Sequence, residues 1–86
     1  MQTRINDRNA MFGKRVRLLR QERGLTQVEL GKLLGVRSYH SGAIISGWER
    51  AKREPSYNQL CKLADVFGVS VDFLLGQAPS QDYNKT

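Results

Sequence analysis

Apolar residues recur along this chain at helical rather than strand spacing. Phe12, Val16 and Leu19 stand at i, i+4 and i+7, which predicts a first helix with one inward stripe and with Lys14, Arg15 and Arg17 directed elsewhere. Gly24 follows where a left-handed C-cap would end it. Thr26 and Glu29 have the spacing of a capping box, each side chain serving a backbone donor of the other residue, so a second helix begins there. It carries Leu30, Leu33 and Leu34 inward and stops at Gly35, about two turns on. Ile45 and Trp48 share one face of a third short helix, whose start is read at Ser41, with Ser38 the other candidate cap. Ser56 and Gln59 form a second capping box, followed by Leu60, Leu63, Ala64 and Phe67 on one face and closed by Gly68. Ser70 caps a final short helix bearing Val71, Phe73, Leu74 and Leu75, closed by Gly76. No run alternates with period two, so no strand is expected. The pattern predicts an all-α fold, five short helices packed at steep angles, the second and third forming a helix-turn-helix.

At 86 residues and 9.8 kDa there is room for one core. The expected organisation is a flexible arm over residues 1–8, a folded domain over 9–76 and a flexible polar tail over 77–86. The opening MQTRINDRNA holds no apolar core of a signal peptide and no run approaches the roughly 20 apolar residues of a bilayer span, so a cytoplasmic protein without a membrane partner is expected. The single Cys61 allows no disulfide within the chain.

Charge is distributed unevenly. Residues 1–53 carry twelve Lys and Arg against four Asp and Glu, or +8, and residues 54–86 carry two against four, or −2, together the formal +6. A basic part beside an acidic remainder is what a phosphate-binding face backed by a different surface requires. Enzymatic and metal chemistry find no support: His40 lies near serines but has no second histidine, nearby cysteine or carboxylate cluster, and so small a helical domain rarely offers the pocket a Ser-His nucleophile needs. No catalytic residue, metal or cofactor is expected. Cys61, between Leu60 and Leu63, reads as a packed thiol.

The segments GKRVRLLRQERGLTQVELGKLLGV, ISGWERAKREPS and LCKLADVFGVSVDFLLG together resemble the Cro/repressor-type helix-turn-helix family over residues 12–76. The resemblance implies a five-helix, lambda-repressor-like domain whose third helix enters the major groove of double-stranded DNA and which acts as a homodimer on a two-fold symmetric operator. It also implies roles. Gln27 matches a glutamine that touches the DNA backbone at the positive end of the second helix, and Gly31 a small residue that lets the third helix cross closely. Arg20 and Glu49 match an ion pair joining the first helix to the third, whose breakage would cost about 3 to 5 kcal/mol if it is buried. Arg50 matches a phosphate-facing position, and Lys52 and Arg53 continue the basic run into the loop. Ala51 stands where the family commonly has glycine.

The turn departs from the family pattern. Eleven residues separate Val36 from Trp48, where the family usually has about seven in its helix-turn-helix. Counting back from Trp48, the base-facing positions become Gly42, Ala43, Ser46 and Gly47, all small and poor at discriminating bases beyond thymine methyl groups. The enlarged turn offers Arg37, Ser38, Tyr39, His40 and Ser41 as further DNA contacts, either as a loop or as one added helical turn. Phe73, Leu74, Leu75 and Tyr83 are the candidate dimer contacts. The expected function is a sequence-specific transcriptional regulator, a repressor of the phage or prophage type. The competing expectation is an antitoxin-like or adaptor module that holds a protein partner, with DNA binding secondary.

Overall fold

The computed structural model describes residues 4–76, with the backbone alone described for residues 4–8 and Ser38. Five helices follow in order: α1 (Arg4–Glu22), α2 (Gln27–Leu33), α3 (Ser38–Glu49), α4 (Tyr57–Phe67) and α5 (Val71–Leu74). There is no strand among the described residues, as the missing period-two alternation predicts. Helix α1 begins at Arg4, inside the segment read as an arm, and the tail from residue 77 on lies outside the described residues.

One core joins all five helices. Phe12, Val16 and Leu19 of α1 meet Leu30 and Leu34 of the second segment, Ile45 and Trp48 of α3, Leu63 and Phe67 of α4, and Phe73 and Leu74 of α5. Trp48, 1% exposed, meets Phe12 edge to face with ring centroids 5.8 Å apart, the orientation that the ring quadrupoles favour. Leu33 corrects the inward assignment. It is 57% exposed, because the buried side of α2 runs through Leu30, Gly31 and Leu34, about 100° around the axis from Leu33.

Local signals set most helix ends. At α2 the Thr26 hydroxyl accepts from Glu29 N at 3.0 Å while Glu29 Oε1 accepts from Thr26 N at 2.8 Å. Ser56 and Gln59 repeat the arrangement at α4, and Ser70 accepts from Phe73 N at 3.0 Å. The chain leaves α1, α2 and α4 through left-handed glycines, Gly24, Gly35 and Gly68. At each, the following amide reaches back five residues, as in Val36 N to Gly31 O at 3.0 Å and Val69 N to Ala64 O at 3.0 Å.

Helix α3 differs at both ends. Its cap is Arg37, which makes no side-chain cap bond, and the four additional residues form its first turn rather than a loop. Ser41 is therefore not the N-cap; it is fully buried one turn inside the helix. At the far end Lys52 N reaches Gly47 O at 2.8 Å through the same closing motif, but Ala51 holds the left-handed position with φ of 60°. The left-handed cap, which alanine in place of the family glycine disfavours, forms here with a Cβ present.

Candidate nucleic-acid interface

Two close approaches seat α3. A Cβ on Gly31 of α2 would overlap the Ser41 side chain, and a Cβ on Gly13 of α1 would overlap the carbonyl of Trp48. Glycine at these points lets α3 lie against both helices, and α3 then turns Ser41, Ile45 and Trp48 inward at i, i+4 and i+7. The opposite side of the helix carries Tyr39, Ala43, Ser46 and Arg50, also a four-residue and three-residue progression, with Tyr39, Ala43 and Arg50 exposed and Ser46 half-buried.

An ion pair fixes the C-terminal half of α3 to the frame. Arg20 Nε donates to Glu49 Oε2 at 2.6 Å and Nη2 to Oε1 at 3.0 Å, while Nη1 donates to Leu25 O at 2.8 Å. The side chains are 12% and 4% exposed. The Glu49 hydrogen bond and charge raise the Arg20 guanidinium above its ordinary range against an opposing desolvation. Gln27 Nε2 also donates to Glu49 Oε1, at 3.1 Å. The glutamine expected at the DNA backbone is thus tied to the buried carboxylate, a link that spacing alone does not reveal.

The flanks of the outward stripe are basic or positively polarised. On one side the start of α2 adjoins Gly42, where a Cβ would sit 3.0 Å from Val28 Cγ2. On the other, Arg53 lays its aliphatic stem across Gly47, with a Cβ there 2.6 Å from Arg53 Cδ. Gly47 is consequently buried and not base-facing; its lack of a side chain makes room for Arg53. Ser41 is likewise withdrawn from any ligand by its packing on Gly31. Arg37, Lys52, Arg53 and His40 are exposed, and the Tyr39 and His40 rings meet at a tilt with centroids 4.2 Å apart.

Two arginines counted in the basic half serve the fold instead. Arg15 Nη1 donates to Phe73 O at 2.9 Å with its guanidinium 4.3 Å from the Phe73 ring centroid. Arg23 forks onto Val66 O and Phe67 O, both at 2.8 Å. Each cation meets the last carbonyls of a helix, where the dipole is negative. The charge on the outward face is accordingly smaller than the +8 of residues 1–53. A sequence signal existed, since Arg15 flanks the apolar stripe of α1 and Arg23 follows its end, while Phe67 closes α4 and Phe73 is the next-to-last residue of α5. The dimer candidates change too: Phe73 and Leu74 are buried in the core, Leu75 is half-buried, and Tyr83 lies outside the described residues. Cys61 is half-buried beside Tyr57, whose phenol is held above its ordinary range by a hydrogen bond with the thiol. No group of three His, Cys, Asp or Glu side chains could hold a metal among the described residues, and no helix there is long and apolar enough to cross a membrane.

A helix-turn-helix family profile matches residues 16–74, and the chain belongs to that family. It is similar to the HTH-type transcriptional regulator ImmR of Bacillus subtilis (strain 168), 35% identical over 75 residues that cover 87% of this chain and 56% of that protein. Repressor protein C2 of Salmonella phage P22 is 37% identical over 65 residues, covering 76% and 28%. The crystal structure of the P22 c2 repressor with synthetic operator 9T superposes with a TM-score of 0.69 at 36% identity, over 78% of this chain and 96% of that one. This chain therefore spans about half the length of the bacterial relative, 56%.

Proposed function

We propose that the protein is a sequence-specific regulator of transcription that binds double-stranded operator DNA through the outward side of α3 and represses by occupancy, in the manner of a phage or prophage repressor. The observation that carries this reading is the stripe Tyr39, Ala43, Ser46 and Arg50 held between the start of α2 and the basic loop Lys52–Arg53. A rigid helix with small residues at its centre lies deep in a major groove, where Ala43 offers a methyl group and Ser46 a hydroxyl to base edges. Gln27, Arg50, Lys52 and Arg53 serve the phosphates on both sides and set the register, with Arg37 and Gly42 beside them. The resemblance to a repressor solved with its operator supports the same assignment. A homodimer would set two copies of α3 about 34 Å apart on successive major grooves, with Leu75 as its contact in place of the buried Phe73 and Leu74. The site is cytoplasmic and needs no cofactor.

Selection from a random duplex pool at moderate and raised salt tests the reading. The expected outcome is an enriched two-fold symmetric motif whose affinity falls steeply with salt as counterions are released. Binding with no enriched motif would overturn it in favour of the protein-interaction module.

A further inference from the structure

Of the four residues on the outward side of α3, two are long and exposed, Arg50 at the C-terminal end beside the basic loop and Tyr39 at the opposite end. Ala43 ends at its methyl, Ser46 at its hydroxyl, and Arg50 is the C-cap that adjoins Lys52 and Arg53. Tyr39 is 76% exposed, and its ring lies against that of His40 in a tilted contact, with a centroid distance of 4.2 Å and an interplanar angle of 36°. What sets Tyr39 apart from the comparably exposed Tyr57 is its place on the outward side of α3, on a first turn anchored by Ser41 against Gly31.

We infer that Tyr39 is a further specificity-determining residue of α3, reading base edges at one end of each half-site beyond those that face Ala43 and Ser46, and that His40 is a positioning residue that holds its ring. The inference rests on the DNA-binding reading above. Tyr39 lies four residues, about 6 Å along the axis, ahead of Ala43. At about 3.4 Å per base pair, its reach falls one to two pairs beyond those facing Ala43. The ring offers an apolar face to a thymine methyl, and the phenol both donates and accepts at base edges. The tilted contact with the imidazole narrows the positions open to the ring, so less rotamer freedom is lost on binding.

The test repeats the pool selection with the full chain and with Tyr39→Ala, His40→Ala and His40→Phe, each checked by circular dichroism for the wild-type helix content. Tyr39→Ala is expected to flatten base preference by about tenfold at one or two adjacent terminal positions of each half-site while the central positions keep theirs. His40→Ala should flatten the same positions in part, and His40→Phe, which keeps a stacking ring, should restore them. An unchanged motif in Tyr39→Ala, or a uniform loss of affinity with the motif intact, would overturn the inference, the second result marking a phosphate contact. Failure of His40→Ala to alter those positions removes its positioning role. Absence of any motif in the wild type is a separate outcome: it overturns the DNA-reading function itself and this inference with it.

Discussion

Helices α2 and α3 belong to one motif and are held by opposite means. Helix α2 is defined locally: a reciprocal box at Thr26 and Glu29 opens it and Gly35 closes it. Helix α3 opens at Arg37 without a side-chain cap, contains Gly42 and Gly47, and closes through Ala51 in a left-handed conformation. Each of those features weakens a helix taken alone. Its order comes from Ile45 and Trp48 in the core, from Ser41 on Gly31, and from Glu49 held by Arg20 and Gln27. The helix that faces outward is thus the one whose own sequence specifies it least, and tertiary contact supplies the difference.

The contrast can be broken most severely at its tertiary end. Trp48→Ala removes the largest fully buried side chain and is expected to cost about 4 kcal/mol in urea unfolding, with α3 the first segment to lose amide protection in hydrogen exchange. Removing Glu49 leaves Arg20 and Gln27 without their carboxylate, so Glu49→Ala should cost about 3 kcal/mol, with the double variant Arg20→Ala/Glu49→Ala less destabilised than the sum of the single changes. Gly31→Ala would set a Cβ 2.7 Å from the Cα and carbonyl oxygen of Ser41 as well as against its side chain, so it forces α2 and α3 apart and should cost about 2 kcal/mol in the same unfolding measurement; adding Ser41→Gly removes only the side-chain overlap and should recover little of it, and full recovery would show that the backbones can separate at no cost. Thr26→Ala, a local change at α2, should cost only about 1 kcal/mol. The smallest effect has the opposite sign. A left-handed Ala costs about 1 to 2 kcal/mol and glycine's extra unfolded freedom about 0.5 to 1, so Ala51→Gly should stabilise by about 0.5 to 1 kcal/mol and raise the melting temperature.

The same contrast explains what the sequence made legible. Every end marked by a box or a glycine, at Thr26, Ser56, Ser70, Gly24, Gly35 and Gly68, falls where local chemistry predicts it. The errors gather on and around α3. Its start at Ser38 and the burial of Ser41 and Gly47 follow from contacts with Gly31 and Arg53, residues that no local pattern connects. Leu33 departs from its expected inward place because α2 is too short for three leucines to define a face independently of where α3 crosses. In the site, the Arg20–Glu49 pair is legible only through the resemblance and the Gln27 link not at all, and the charge count over residues 1–53 does not separate Arg15 and Arg23, which bind the carbonyls of Phe73, Val66 and Phe67, from the rest.

The division of α3 into an inward and an outward stripe has a consequence for how such a protein can change. Ser41, Ile45, Trp48 and Glu49 are committed to their neighbours, whereas exposed Tyr39 and Ala43 and half-buried Ser46 take no part in the core cluster. Exchanging residues at 39, 43 and 46 therefore alters what the helix presents while leaving the frame that holds it almost untouched. A lineage carrying this domain could acquire a new target by a few substitutions on one side of one helix, each tolerated by the fold before it is of any use to recognition.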